Sequence, residues 1–391
     1  MPSHLDWIKE ELAGLEREHL RRFLRRLESP QGPEIVLEGR RVLNFCSNDY
    51  LGLAGQRQVI AAAAAAAERW GAGAGASRLI AGNLGIFTEL EAALARLKGY
   101  PAALLLGSGY QANLGLIPAL ADRGDVIFSD RLNHASLIDG IRLSRAETRI
   151  FAHLDLDHLE SQLKPASNFR RRLIAVESLY SMDGDIFPLP ELVALAKKYN
   201  AITYVDEAHA TGTLGAAGRG GLEHFGLGPE VDVLMGTLGK ALGSFGAFVS
   251  ARREVIEYFI NKARSFIFAT GLPPAAAGAA LEAVRILEQE PGRRADLRRN
   301  ARRLREGFAR LGLPVPKDEV PIFPVIIGDP QETLAKAERL LEQGIFVQAI
   351  RPPTVPPGTS RLRITVRADH TSEHLEALLE ALGSKMMNSK L

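Results

Sequence analysis

The sequence predicts an α/β protein: a large, mostly parallel sheet with helices on both faces, followed by a smaller α+β domain. Three observations carry this. Between about residues 58 and 290, short apolar runs alternate with helical segments, the pattern of strands joined by crossover helices. A long charged helical segment then runs over roughly 276–312. Beyond it the order changes, and IFPVIIG, IFVQAI and RLRITV become strands separated by the helical segments TLAKAERLLEQG and SEHLEALLEALG.

Taken in order, residues 5–28 are charged and leucine-spaced and predict an amphipathic helix. PEIVLEGRRVLNF predicts a hairpin turning at Glu38-Gly39. The run Ala61–Ala67, bounded by Glu68 and Arg69, has high helix propensity. The sheet strands are AALLL, DVIFS, RIFA, RLIAVE, ITYVDE, DVLMGT and GAFVS. GAFVS follows DVLMGT too closely for a crossover helix, so that pair should be antiparallel. The expected organisation is an amino-terminal helix and hairpin (1–45), a large domain (46–290) and a small domain (291–391).

Composition bounds the function. The 391 residues are 46% hydrophobic and 24% charged, with net charge +2 from 48 basic and 46 acidic residues. This balance supplies no electrostatic footprint for a nucleic acid. Arg21, Arg22, Arg25 and Arg26 have helical spacing and read as a solvated helix face. The single cysteine, Cys46, excludes an internal disulfide and reads as packing. No leader-like segment and no apolar run of about 20 residues is present. A soluble, cytoplasmic protein with no membrane partner is expected.

Two motifs mislead. DEAH (Asp206–His209) spells a helicase box but needs a phosphate-binding loop G-x-x-x-x-G-K-[ST]. The one Gly-Lys near a strand has Leu234 and Ala241 where that loop needs glycine and a hydroxyl. GSGYQA (Gly107–Ala112) matches a dinucleotide fingerprint, with Asp125 and Asp130 near the place of a ribose-binding acid. A nicotinamide-dependent oxidoreductase is therefore the rival reading. The shared physics is that glycines let backbone amides and a helix amino terminus approach a phosphate.

ESLYSMDGD, YVDEAHATG and GTLGKALG decide between phosphates, because each follows an apolar strand and so lies at a carboxyl end of the sheet. One cleft would hold Ser181, Asp206, His209, Thr237 and Lys240. A buried aspartate needs a cationic partner. A pyridinium nitrogen supplies one, and a lysine beside it can form a Schiff base with an aldehyde. These are the parts of a pyridoxal 5′-phosphate (PLP) site.

The chain resembles the α-oxoamine synthase branch of fold-type I PLP enzymes nearly end to end. The matching stretches include NFCSNDYLGL, GAGASRLIAGN, SGYQAN, NHASLIDG, ESLYSMDGD, VDEAHATG, GTLGKALG, SFIFATGLPP and AIRPPTVPPGTSRLRITV. It departs at Cys46, where serine is common, and at Glu207, where a second aspartate is common. The resemblance implies an acyltransferase that condenses an amino acid with an acyl thioester and releases carbon dioxide. It implies that Lys240 carries the cofactor, Asp206 pairs with the ring nitrogen and His134 stacks on the ring, contacting substrate as well. It places His209 and Ser181 at the phenolic oxygen, and Gly109, Tyr110 and Thr237 on the phosphate. Thr270 would reach the phosphate of a neighbouring subunit in a homodimer with interface sites. Asn48 and Arg361 would fix the amino-acid carboxylate, and Arg22 and Thr354 would contact substrate. No metal is expected. The tail AIRPPTVPPGTSRLRI resembles one member type of this branch more than the others, and that resemblance implies L-alanine and a pimeloyl thioester, carried by coenzyme A or acyl carrier protein. Glycine with an acetyl thioester, or a relaxed choice of both substrates, is the alternative.

Overall fold

The Glu38-Gly39 turn closes the expected hairpin. Strands β1 (Glu34–Leu37) and β2 (Arg40–Asn44) pair antiparallel with Leu37 opposite Arg40. Both turn residues have positive φ, 50° and 78°, the geometry whose twist matches a two-residue hairpin. This computed structural model describes residues 3–384. The chain divides into two compact units: Asn48–Ser181 with Asp185–Ala295, and the residues up to Ser47 with Met182–Gly184 and the residues from Asp296 onward. The sequence drew its boundaries after residues 45 and 290, whereas the units change over after Ser47 and Ala295, and the amino-terminal segment belongs to the same unit as the carboxyl-terminal one.

The larger unit is built on seven strands: β3 (Ala102–Leu106), β4 (Val126–Asp130), β5 (Glu147–Phe151), β6 (Arg172–Glu177), β7 (Ile202–Asp206), β8 (Val233–Thr237) and β9 (Ala247–Ala251). Their order is β3-β9-β8-β7-β6-β4-β5. Only β9 runs against the rest, antiparallel to both β8 and β3, as the short β8–β9 connection requires. Side chains alternate between two cores. Ile127, Leu173 and Ala175 pack with helices Gly109–Leu120 and Ala135–Ser144, while Val126, Phe128, Ile174 and Val176 pack with Leu156–Leu163 and Leu189–Tyr199. A strand buried on both faces sends successive residues to opposite helix layers.

The smaller unit adds β10 (Ile322–Gly328), β11 (Ile345–Phe346), β12 (Gln348–Ile350) and β13 (Ser360–Thr365). β13 pairs antiparallel with β10 and β12, whereas β11 joins β2 in parallel. IFVQAI, read as one strand, therefore serves two sheets.

Two helix expectations are corrected. The amino-terminal helix spans Trp7–Arg17, not 5–28. His19 takes a left-handed φ of 56°, and the Leu20 and Arg21 N–H groups both donate to the Leu15 carbonyl. Continuing the helix would stack Arg21, Arg22, Arg25 and Arg26 at i,i+4 spacing, where like charges repel. Outside the helix, Arg25 instead reaches Glu38 and Glu338, and Arg26 reaches Glu28. The segment 276–312 is two helices, Pro274–Gln289 and Pro291–Arg310. Pro291 lacks an N–H and pushes Glu290 out of helical geometry, to φ −114° and ψ 71°. Among the described residues no helix is long and apolar enough to cross a membrane.

Candidate active site

Four strands of the larger unit deliver polar residues to their carboxyl ends. β3 leads into Gly107-Ser108 and the helix starting at Gly109, β4 into His134, β7 ends on Asp206, and β8 runs through Thr237 to Lys240. Together with Glu177 at the end of β6 they line a cavity of about 340 Å³, which Tyr110, Ser136, His209, Gly239 and Phe245 complete.

The glycine-rich loop works by close approach. A Cβ on Gly109 would lie 2.7 Å from Thr237 Cγ2, so only glycine lets this helix start against β8. Ser108 caps the helix, its Oγ accepting from the Gln111 N–H at 3.1 Å. The first-turn amides of Gly109 and Tyr110 have no partner within the helix and are placed to receive an anion. Tyr110 is 43% exposed and donates to Asp139. Around Lys240, Gly236 and Gly243 answer to protein neighbours. A Cβ there would meet the Phe248 ring at 2.5 Å and the Ala54 N at 2.4 Å, respectively. Gly239 alone of the three lines the cavity.

Asp206 is buried, and its hydrogen bonds come from neutral donors: the Asn113 amide at 3.0 Å and the Ala208 N–H at 2.8 Å. Glu177 lies opposite it in the β6–β7 register and accepts from the His134 N–H at 2.6 Å. Burial, then the neighbouring Asp206 charge, push the Glu177 carboxyl up to about 8, against the pull of Lys240 and the His134 and Ser181 N–H groups. His134 Nδ1 receives the Ser136 N–H at 3.2 Å and lies 2.8 Å from the Ser136 hydroxyl, which puts the neutral ring's proton on Nε2. Burial holds the His134 pKa below its ordinary value, with Asp206 opposing and Lys240 adding. His209 Nδ1 lies 2.7 Å from the Tyr50 hydroxyl, which also bonds Asn48 Oδ1 at 3.2 Å.

The expected residues do not all meet in this cavity. Gly109, Tyr110, His134, Asp206, His209, Thr237 and Lys240 line it. Ser181 is buried and does not line it, with its N–H on Glu177. Thr270 is exposed, bridges Ser77 and lines a different small cavity with Arg78 and Gln111. Arg22, Thr354 and Arg361 belong to the smaller unit. There Arg22 and Thr354 line a cavity of about 460 Å³, with Arg22 donating to the Pro352 carbonyl at 2.8 Å. Arg361 is buried and paired with Asp183. Sequence reasoning passed over Asn113, Ser136, Glu177 and Tyr204. The available signal was a lone polar residue, Asn113, in the otherwise apolar helix ANLGLIPAL, and a glutamate ending an apolar strand.

PLP fits this set of donors. It brings an anionic phosphate, an aldehyde, a flat ring and a protonatable ring nitrogen, and the cavity offers first-turn amides with Thr237, a lysine, an imidazole and a buried carboxylate held by the Asn113 amide and the Ala208 N–H. Such a cleft at the carboxyl ends of a mostly parallel sheet defines a PLP-dependent α/β enzyme, and the chain belongs to the aminotransferase class I and II family, which it matches over residues 40–382. Within that family it is similar to curated 8-amino-7-oxononanoate synthases. It is 50% identical to that of Anaeromyxobacter dehalogenans over 97% of this chain and 95% of the relative, and 48% identical to that of Thermoanaerobacter pseudethanolicus over 96% of each. Among solved structures, a serine palmitoyltransferase from S. paucimobilis with bound PLP superposes with a TM-score of 0.92 at 32% identity, covering 97% of this chain and 96% of that one. An 8-amino-7-oxononanoate synthase from Francisella tularensis gives 0.77 at 29%, covering 90% and 99%. PLP is the cofactor, and the dinucleotide reading of GSGYQA is set aside.

Proposed function

We propose that this chain condenses L-alanine with a pimeloyl thioester, releasing carbon dioxide and the free thiol carrier and giving 8-amino-7-oxononanoate, an intermediate of biotin synthesis. The observation that carries this reading is the near-full-length identity of about one half to relatives named for that reaction.

Bound PLP supplies an aldehyde for the substrate amine and a cationic ring that draws electron density from the α-carbon. Lys240 would hold it covalently and then, as a free amine, take the proton from the α-carbon of alanine and return one at the end. Asp206, fixed by Asn113 and Ala208, would keep the ring nitrogen protonated. His134 would cover one ring face, while His209 and Ser181 would address the phenolic oxygen. The Gly109 and Tyr110 amides with the Thr237 hydroxyl would grip the phosphate. Asn48 and Arg361 would fix the alanine carboxylate, Arg361 by its fork of donors. Arg22 and Thr354 would contact substrate.

The working form is read as a homodimer in which Thr270, exposed and outside its own chain's cavity, reaches the neighbouring subunit's phosphate. The carrier is coenzyme A or acyl carrier protein. The test is competition kinetics. Each methylene of the acyl arm that is buried contributes about 0.8 kcal/mol, so pimeloyl-CoA with L-alanine should exceed acetyl-CoA with glycine by at least about tenfold in kcat/KM. Equal or reversed preference would move the chain to the glycine-acetylating side of its family.

A further inference from the structure

Asn113 lies one helical turn after Gly109, fully buried, and all its polar atoms are engaged. Its Nδ2 donates to Asp206 Oδ2 at 3.0 Å and to Ser136 Oγ at 2.9 Å, and its Oδ1 accepts from the Tyr204 hydroxyl at 2.7 Å. Ser136 Oγ in turn lies 2.8 Å from His134 Nδ1. The amide has one workable orientation. A carboxylate only accepts, so the NH₂ end must face Asp206, and the Tyr204 hydroxyl then donates to the oxygen end. With its oxygen receiving Asn113, Ser136 directs its own proton to His134. One side chain thus joins the carboxylate at one edge of the cavity to the imidazole at another.

We propose that Asn113 is a positioning residue for the cofactor: it sets the Asp206 carboxylate and, through Ser136, the His134 ring as one hydrogen-bonded unit, with Tyr204 fixing its amide. This inference rests on the reading of the cavity as a PLP site. A fully satisfied buried network holds its members in one geometry, and its members are coupled rather than additive. Asn113→Leu, of similar volume, removes both donors and strands the Tyr204 hydroxyl.

The experiment is a PLP titration of cofactor-stripped protein, followed by protein fluorescence and by the visible absorption band, together with the pH midpoint of that band. Asn113→Leu should raise the Kd at least about tenfold and move the midpoint, since a hydrogen bond to a charged group is among the stronger ones. Ser136→Ala should raise the Kd by a smaller factor in the wild-type background and by none in the Asn113→Leu background. A folded Asn113→Leu protein with Kd within twofold of wild type and an unmoved midpoint overturns the proposal, as does full additivity with Ser136→Ala. Should Asn113→Leu not fold, Tyr204→Phe and Ser136→Ala each remove one hydroxyl, and unchanged Kd and midpoint in both overturn it equally. Wild-type protein that takes up no PLP would end the cofactor reading itself, which is a separate result.

Discussion

Glu177 and Asp206 end adjacent parallel strands in register, so two carboxyl groups stand side by side on one wall of the cavity. Burial first, and then the neighbouring Asp206 charge, push the Glu177 carboxyl up to about 8. Its folded-state pKa lies above its unfolded value, so its contribution to stability is fully present below about pH 4.5 and is lost as pH rises toward about 8. Glu177→Gln imitates the protonated acid and removes that loss. In cofactor-free protein, the melting temperature of the variant minus that of wild type should grow from pH 5 to pH 8. A difference that stays flat would show that Glu177 ionises normally.

On the proposed mechanism, Lys240→Ala removes the cavity-lining amine that would hold the cofactor and move the α-proton. A positioned general base is worth about 10²–10⁴-fold, so turnover should fall by at least about 10²-fold from that loss alone. PLP should still be retained through the phosphate contacts and Asp206, but borohydride should no longer fix it to the chain. Mass spectrometry of the treated protein reads this directly. Repeated turnovers by the variant without added amine would take the role from Lys240.

Lys98 and Glu207 form an ion pair with both side chains fully buried. The Lys98 ammonium also donates to Thr211 Oγ1 at 2.8 Å and the Arg219 carbonyl at 2.5 Å, while Glu207 takes the Gly221 N–H at 2.7 Å. Lys98→Met leaves a buried carboxylate without its cation and should cost about 3–5 kcal/mol, measured by urea unfolding. Adding Glu207→Gln should recover part of this loss, because the amide still accepts from Gly221 and carries no charge.

His153 lies between two carboxylates, 2.9 Å from Asp130 and 3.4 Å from Asp185. Burial opposes its charged form, but the hydrogen bonds to the two aspartates outweigh it and raise the pKa to about 9. A histidine raised in the folded state stabilises fully below its unfolded value near 6.5, and that stabilisation disappears as pH passes about 9. His153→Asn should therefore lower stability by up to about 2–3 kcal/mol at pH 6. The difference between wild type and variant should close above about pH 9.5. Thermal melts across that range would refute the bridge if the difference were independent of pH.

The sequence alone determined the parts of this protein whose causes are local. Strand-and-helix alternation placed all seven sheet strands and the reversal of β9, because the connection between β8 and β9 is too short to hold a crossover helix. Glu38-Gly39 set the hairpin register, and GSGYQA marked a glycine-rich turn between a strand and a helix amino terminus. Apolar strands ending in Asp206 and leading to Lys240 put those two residues at one edge of a sheet. Only the tertiary structure decided which groups meet. The amino-terminal helix stops at Arg17 although its leucine spacing runs on, since Arg25 finds Glu38 and Glu338 outside it. IFVQAI divides between two sheets because β2, far back in the chain, pairs with its first residues while the nearby β13 pairs with its last. Asn113 and Asp206 are 93 residues apart and Lys98 and Glu207 are 109. Nothing in the spacing of such pairs announces them, and they form because a buried polar group folds against whichever distant partner satisfies it.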